Sequence, residues 1–207
     1  MIRSTRFVIA VLAVLTLNLP ASADVVSWMD FSLWDDATVT GVGQTFENIC
    51  DGVDVLVTGT PDHSRTSFVD AEGAIRTGGD NNTHSFTFSF SAPVPVVVSV
   101  DSLDRWETIN LVNSGGGAVS YTHYQGSAPT ESGNLILTGT GVGQDPTIGA
   151  AAGLLNLGTT TSFTWEYTAD FGNKFERFKV GKLVPEPGSM SLAWLSGLVL
   201  LGGRRRR

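Results

Sequence analysis

Ser85-Phe86-Thr87-Phe88-Ser89-Phe90 alternates small polar and aromatic residues without a break. On an extended strand successive side chains point to opposite faces, so Phe86, Phe88 and Phe90 share one face and the hydroxyl residues share the other. A helix would scatter the same three rings around its axis. The segment can bury them together only as a strand with one face on a core. Residues 53–58 alternate in the same way. Residues 162–168 place Phe163, Trp165 and Tyr167 on one side, and 175–183 place Phe178 and Val180 opposite Lys179. Residues 94–100 are more continuously apolar and suit an inner strand, with Pro93 and Pro95 at its entrance. Residues 108–112, 118–124 and 134–140 add further strand candidates.

Turn chemistry separates these runs: Gly78-Gly79-Asp80-Asn81-Asn82, Gly115-Gly116-Gly117 and Gly126-Ser127-Ala128-Pro129. The one stretch with helical character, 149–155, is short and weakened by Gly153. Roughly eight to ten strands, with turns about every 8 to 15 residues, predict an all-β chain folded as a single antiparallel, jelly-roll-like β-sandwich. The absence of helix–strand alternation argues against a doubly wound α/β fold. Thr-Gly-Val-Gly-Gln occurs at 40–44 and again at 140–144, but the flanks do not match, so no duplicated domain is inferred.

Both ends of the chain differ from this body. Arg3 and Arg6 precede an apolar run at 7–19, and Ala21-Ser22-Ala23 is a small-x-small cleavage site. That order is a signal peptide over 1–23, cut after Ala23, with the mature chain starting at Asp24. At the other end, Val184-Pro185-Glu186-Pro187 leads into an apolar segment at 189–203, and Arg204, Arg205, Arg206 and Arg207 end the chain. The prolines keep a helix from running upstream through the junction. Fifteen helical residues span about 22 Å, short of the roughly 30 Å hydrocarbon core. Four arginines stay on the cytoplasmic side. By composition alone, a short tail anchor and a removable signal are equally compatible with this segment.

Residues 184–207, with Pro185-Glu186-Pro187, the apolar run and the arginine cluster in order, resemble the PEP-CTERM sorting signal of Gram-negative bacteria. The resemblance implies transient insertion in the inner membrane after Sec export. It implies recognition of Pro185, Glu186 and Pro187 by an exosortase, a membrane-embedded cysteine protease and transpeptidase, which discards the tail. It further implies release to the outer surface or extracellular matrix, in company with exopolysaccharide. It covers no part of the body, residues 24–183, which reads as one domain.

From Asp24 to Glu186 the chain holds all 20 acidic residues and seven basic ones, a net charge of −13. Such a surface repels nucleic acid and anionic lipid. Cys50 is the only cysteine, so no internal disulfide can form, and a buried thiol is expected.

Catalytic patterns are scarce. His63, His84 and His123 share no metal-ligand spacing, and no Gly-x-Ser-x-Gly elbow occurs. Gly139-Thr140-Gly141-Val142-Gly143 lacks the Lys-Ser/Thr of a phosphate-binding loop. Asp101, Asp104 and Glu107 follow an apolar strand and are the candidate metal ligands, with Ca²⁺ the cation that carboxylates on a loop would suit. A solvated, capped loop accounts for the same three residues. Trp106, beside them, is the candidate for stacking on a sugar ring. The expected function is a non-enzymatic surface or matrix protein with no other cofactor. The alternatives are a secreted hydrolase or lyase acting on polysaccharide, and a Ca²⁺-dependent adhesin.

Overall fold

The alternation at 85–90 runs much further than the local sequence suggests. His84, Phe86, Phe88, Phe90, Val94, Val96, Val98 and Val100 are all buried, and Thr83–Leu103 is one strand of 21 residues. The computed structural model describes residues 25–60, 67–78, 83–113, 119–132, 135–143, 149–169 and 175–184. The expected signal peptide with Ala21 and Ala23, and the segment from Pro185 to Arg207, lie outside these residues. Among the described residues no helix is long and apolar enough to cross a membrane.

The described elements are β1 (Val25–Trp28), α1 (Asp36–Gly41), β2 (Gln44–Cys50), β3 (Val53–Gly59), β4 (Phe68–Val69), β5 (Ile75–Gly78) and β6 (Thr83–Leu103). They continue with β7 (Glu107–Asn113), β8 (Ser120–Gln125), β9 (Thr130–Ser132), β10 (Ile136–Thr138), β11 (Ala151–Ala169) and β12 (Phe175–Val184). Every strand pair with a defined register is antiparallel. The chain is therefore all-β, as the alternation requires.

Two long strands organise the sheet. Residues 83–89 of β6 pair with 162–168 of β11, and residues 94–103 of β6 pair with 151–160 of β11. The first half of β6 has β3 on its other edge, and the second half has β12. Likewise β11 takes β7 along 163–169 and β8 along 152–156. The pairings thus form two sets joined through β6 and β11. One runs β2-β3-β6-β11-β7-β10-β9, and the other runs β4-β5-β12-β6-β11-β8, with β1 also on β12.

The joint between the sets is marked on both strands. Ser91, Ala92 and Pro93 have no ladder partner, so the N–H that Pro93 lacks is not needed. Opposite them the register shifts between Thr160 and Ser162, a bulge of the kind that bends a strand. Trp165 lies beside Phe86 in the ladder, and Phe178 lies beside Val100. A straight strand would hold Phe86 and Val100 about 46 Å apart at about 3.3 Å per residue. Yet the Trp165 and Phe178 rings stack with centroids 4.5 Å apart. Phe88 also meets Phe178, edge-on at 6.3 Å. The inward faces of both sets therefore line one core, with Phe88 on Phe163 at 4.8 Å at its centre.

Two local outcomes differ from sequence expectation. Residues 151–155 are strand, not helix, because Ala151, Gly153 and Leu155 alternate inward in β11. Gly153 lies so close to β8 that a Cβ would meet the Tyr121 ring and the Thr122 carbonyl oxygen, both at 2.5 Å. The described helix is instead α1, which turns Val39 inward. The β2–β3 hairpin closes through Asp51 (φ 49) and Gly52 (φ 82), the pair of positive φ values that a two-residue Asp-Gly turn needs.

Candidate functional site

β6 ends at Leu103 and β7 starts at Glu107, so Asp104-Arg105-Trp106 is the connecting turn, closed by the Glu107 N–H donating to the Asp104 carbonyl at 3.0 Å. The glycine-rich stretch at 139–143 braces it. Gly139 N–H donates to the Glu107 carbonyl at 3.1 Å and Arg105 N–H donates to the Gly141 carbonyl at 2.8 Å. Gly143 N–H donates to Asp104 Oδ1 at 3.3 Å. Gly139 permits the close backbone approach in this brace. A Cβ on Gly139 would lie 2.0 Å from the Asp104 carbonyl oxygen.

The three carboxylates singled out around this turn take different partners. Asp101 accepts from Arg177 Nη1 at 3.2 Å. Asp104 is buried and receives Gly143. Glu107 is buried, and its Oε1 accepts the Tyr167 hydroxyl at 2.7 Å while its Oε2 accepts the Asp104 N–H at 2.6 Å. Among the described residues no group of three or more His, Cys, Asp or Glu is placed to hold a metal ion. Trp106 is half-buried, with the Arg105 guanidinium 3.9 Å from its ring centroid. One ring face is thereby covered.

The other tryptophans divide clearly. Trp165 is fully buried. Trp34 packs edge-on to Phe31 and Phe86 and donates to Ser67 Oγ at 3.1 Å. Trp28, on β1, is 43% exposed and lies over Gly181, where a Cβ would come within 2.8 Å of the indole. His84 is buried near Tyr167, His123 is exposed on β8, and His63 lies outside the described residues. Cys50 is buried, as expected. Burial pushes its thiol up, and the Lys182 ammonium opposes this.

Arg177 is the hub of an ion cluster at one margin of the core. Its Nε donates to Asp70 Oδ2 at 2.8 Å, its Nη1 reaches Asp101, and its Nη2 pairs with Glu72. Asp70 also accepts Arg76 Nε at 3.0 Å and the N–H groups of Glu72 and Ala74, both at 3.0 Å. Partial burial alone would raise the Asp70 carboxyl. The Arg177 guanidinium, the Ala74 N–H, Arg76 and the Glu72 N–H together hold it well below its ordinary value. A depressed carboxyl contributes stability above its ordinary value of 3.8, and that contribution is lost as pH falls toward the folded value. Arg177→Met is accordingly expected to destabilise the fold by about 2–3 kcal/mol at pH 7, by leaving three carboxylates without their shared cation. In urea titrations at stepped pH, this deficit should shrink as pH drops below about 4. A deficit independent of pH would show that the loss is one of packing.

Sequence reasoning missed the most unusual group. Glu176 is fully buried on β12, and neither carboxyl oxygen has a hydrogen-bond partner. Burial drives its carboxyl well above the ordinary value, with Glu107 and Asp101 adding to the shift. The backbone N–H groups of Asp101 and Arg177 oppose the shift. The signal was present in the sequence. Glu176 shares the phase of Phe178 and Val180, so the period-two pattern already places it inward.

The chain matches no family model, no curated protein and no solved structure.

Proposed function

We propose that this chain is an exported, non-enzymatic surface or matrix protein, processed at both ends and associated with extracellular polysaccharide. Its sheet is read as closing into one antiparallel, jelly-roll-like sandwich. The observation that carries the export reading is the C-terminal order of Pro185-Glu186-Pro187, a short apolar segment and Arg204, Arg205, Arg206 and Arg207. The signal-peptide pattern at 1–23 supports it independently. The sandwich reading is supported by the two pairing sets that share β6 and β11 and by the Trp165–Phe178 stack. Association with polysaccharide rests on the likeness to PEP-CTERM signals. Trp28 and Tyr124, 43% and 64% exposed, are rings open to a sugar face.

Mass spectrometry of the protein from the cell surface tests the processing. The expected chain begins at Asp24, ends near Glu186 and lacks the arginine tail. Replacing Pro185, Glu186 and Pro187 together with alanine should leave full-length protein in the inner membrane. Surface protein that keeps Arg204 to Arg207 would refute exosortase processing. Incubation with exopolysaccharide should retain the protein without new reducing ends, whereas release of oligosaccharides would replace this reading with that of a hydrolase or lyase.

A further inference from the structure

Glu176 and Arg177 are neighbours on β12 that point to opposite faces of the sheet. Outside, Arg177 grips Asp70 and Glu72, in the turn of the β4–β5 hairpin, and Asp101 on β6. Arg76, its ladder partner on β5, binds the same Asp70. Inside, Glu176 is fully buried beside β5, where its own ladder partner, Thr77, is fully buried too. Among the described residues, the hairpin joins the rest of the sheet through β12 alone, at the positions from Ile75 to Gly78.

Among the described residues no ion pair includes Glu176, and neither of its carboxyl oxygens has a hydrogen-bond partner. The titratable groups that interact with it are acids. Glu107 on β7 and Asp101 on β6 oppose its ionisation, and its charge is felt by the hydroxyls of Tyr121 on β8 and Tyr167 on β11. His84 on β6 meets the Tyr167 ring, with centroids 6.3 Å apart. The backbone N–H groups of Asp101 and Arg177 favour the carboxylate, but burial outweighs them. A carboxylate without a counter-charge is too costly to keep in an apolar core. Glu176 therefore either keeps its proton or reaches water. Of the strands around it, β5 has four residues and β4 behind it has two, against 21 in β6 and 19 in β11. The hairpin is the weakest wall.

We propose that the β4–β5 hairpin is a pH-operated flap, closed while Glu176 is protonated and released outward as its carboxylate forms. This device does not depend on the export or polysaccharide readings. In the open form Glu176 meets water and titrates near its ordinary value of 4.5. In the closed form it holds its proton to higher pH. Closure is therefore fully favoured below 4.5. It weakens as pH rises, by about tenfold per pH unit, until the closed form itself ionises. The outer clamp works in a different range, because Asp70 loses its charge only in acid, below 3.8. Between pH 5 and 7 Arg177 keeps its hold on Asp70, and Glu176 sets the balance.

Hydrogen–deuterium exchange of the full chain at pH 5, 6 and 7, corrected for the intrinsic exchange rate, reads the opening. Protection of the amides at 68–78 should fall by about tenfold or more between pH 5 and 7, while β6 and β11 keep theirs. Glu176→Gln, nearly isosteric and unable to ionise, should abolish that dependence. Arg177→Met should lower protection of the hairpin by a similar factor at each pH and leave the slope intact. Equal hairpin protection at pH 5 and 7 would overturn the proposal. So would a parallel loss in β6 and β11, the mark of whole-domain unfolding. A slope that survives Glu176→Gln, or one that vanishes in Arg177→Met, would place the titrating group elsewhere and overturn it as well.

Discussion

Trp165→Ala is expected to lower the free energy of unfolding by about 3–5 kcal/mol, a large share of the roughly 5–15 kcal/mol that holds a typical domain. The indole is fully buried and stacks on Phe178 at 4.5 Å. Its ladder neighbours, Phe86 and Leu111, are buried as well. The void left by alanine would be walled by strands of both pairing sets, which are hydrogen-bonded along their edges and cannot easily move inward to fill it. Trp165→Phe should cost about 1 kcal/mol or less. The indole N–H has no partner, and removing an orphaned buried donor offsets part of the lost packing. Urea titration should show the midpoint of Trp165→Ala well below that of Trp165→Phe, with unchanged slope. A loss under about 1 kcal/mol for alanine would remove the main support for a core shared by the two sets.

The second large effect is expected at Gly139. Its Cβ position lies 2.0 Å from the Asp104 carbonyl oxygen and 2.4 Å from the carbonyl carbon. Both atoms are backbone, so no side-chain rotation can relieve the overlap. Gly139→Ala must push residues 139–143 away from the Asp104–Glu107 turn. That breaks the Gly139–Glu107 and Arg105–Gly141 backbone bonds and the Gly143 bond to Asp104. At about 1 kcal/mol for each hydrogen bond, the loss should be about 2–4 kcal/mol. Gly143→Ala is the matched control. Gly143 has a positive φ of 82 but nothing within 4 Å of a Cβ, so only backbone strain of about 1 kcal/mol is expected. Thermal unfolding of both variants separates the cases. If Gly143→Ala proves as costly as Gly139→Ala, the contact with the Asp104 carbonyl is not what the segment needs glycine for.

The strands were legible where burial and sequence shared a period. Phe86, Phe88 and Phe90, then Phe163, Trp165 and Tyr167, then Phe178 and Val180 were assigned inward faces, and all eight are buried. The length of β6 was not legible. Pro93 and Pro95 read locally as an entrance to a new strand, but Pro93 falls in the unpaired joint, and Pro95 keeps its one partner, Thr159. The 151–155 stretch was misread because Ala-Ala-Gly-Leu-Leu carries no period of its own. Its strand phase comes from β6 and β8 on either side.

The candidate site was half legible. The spacing of Asp101, Asp104 and Glu107 marked a turn that is indeed polar and structurally dense, but it could not reveal that Arg177, Gly143 and Tyr167 each take one carboxylate. Those partners arrive from 39 to 76 positions away in the chain. Phase alone could have flagged Glu176 as inward, but not its pairing with Thr77 across the β5–β12 ladder.

The sequence alone determined the all-β character, the inward phase of each strong strand, and the order of basic, apolar and proline residues at the two ends. These are properties of consecutive residues: side-chain alternation, proline's missing N–H, the length of an apolar run. Tertiary structure decided which strands are neighbours, where β6 bends and which polar groups meet in the core. Those outcomes depend on register between segments far apart in the chain, and a shift of one residue would turn every one of those side chains to the opposite face.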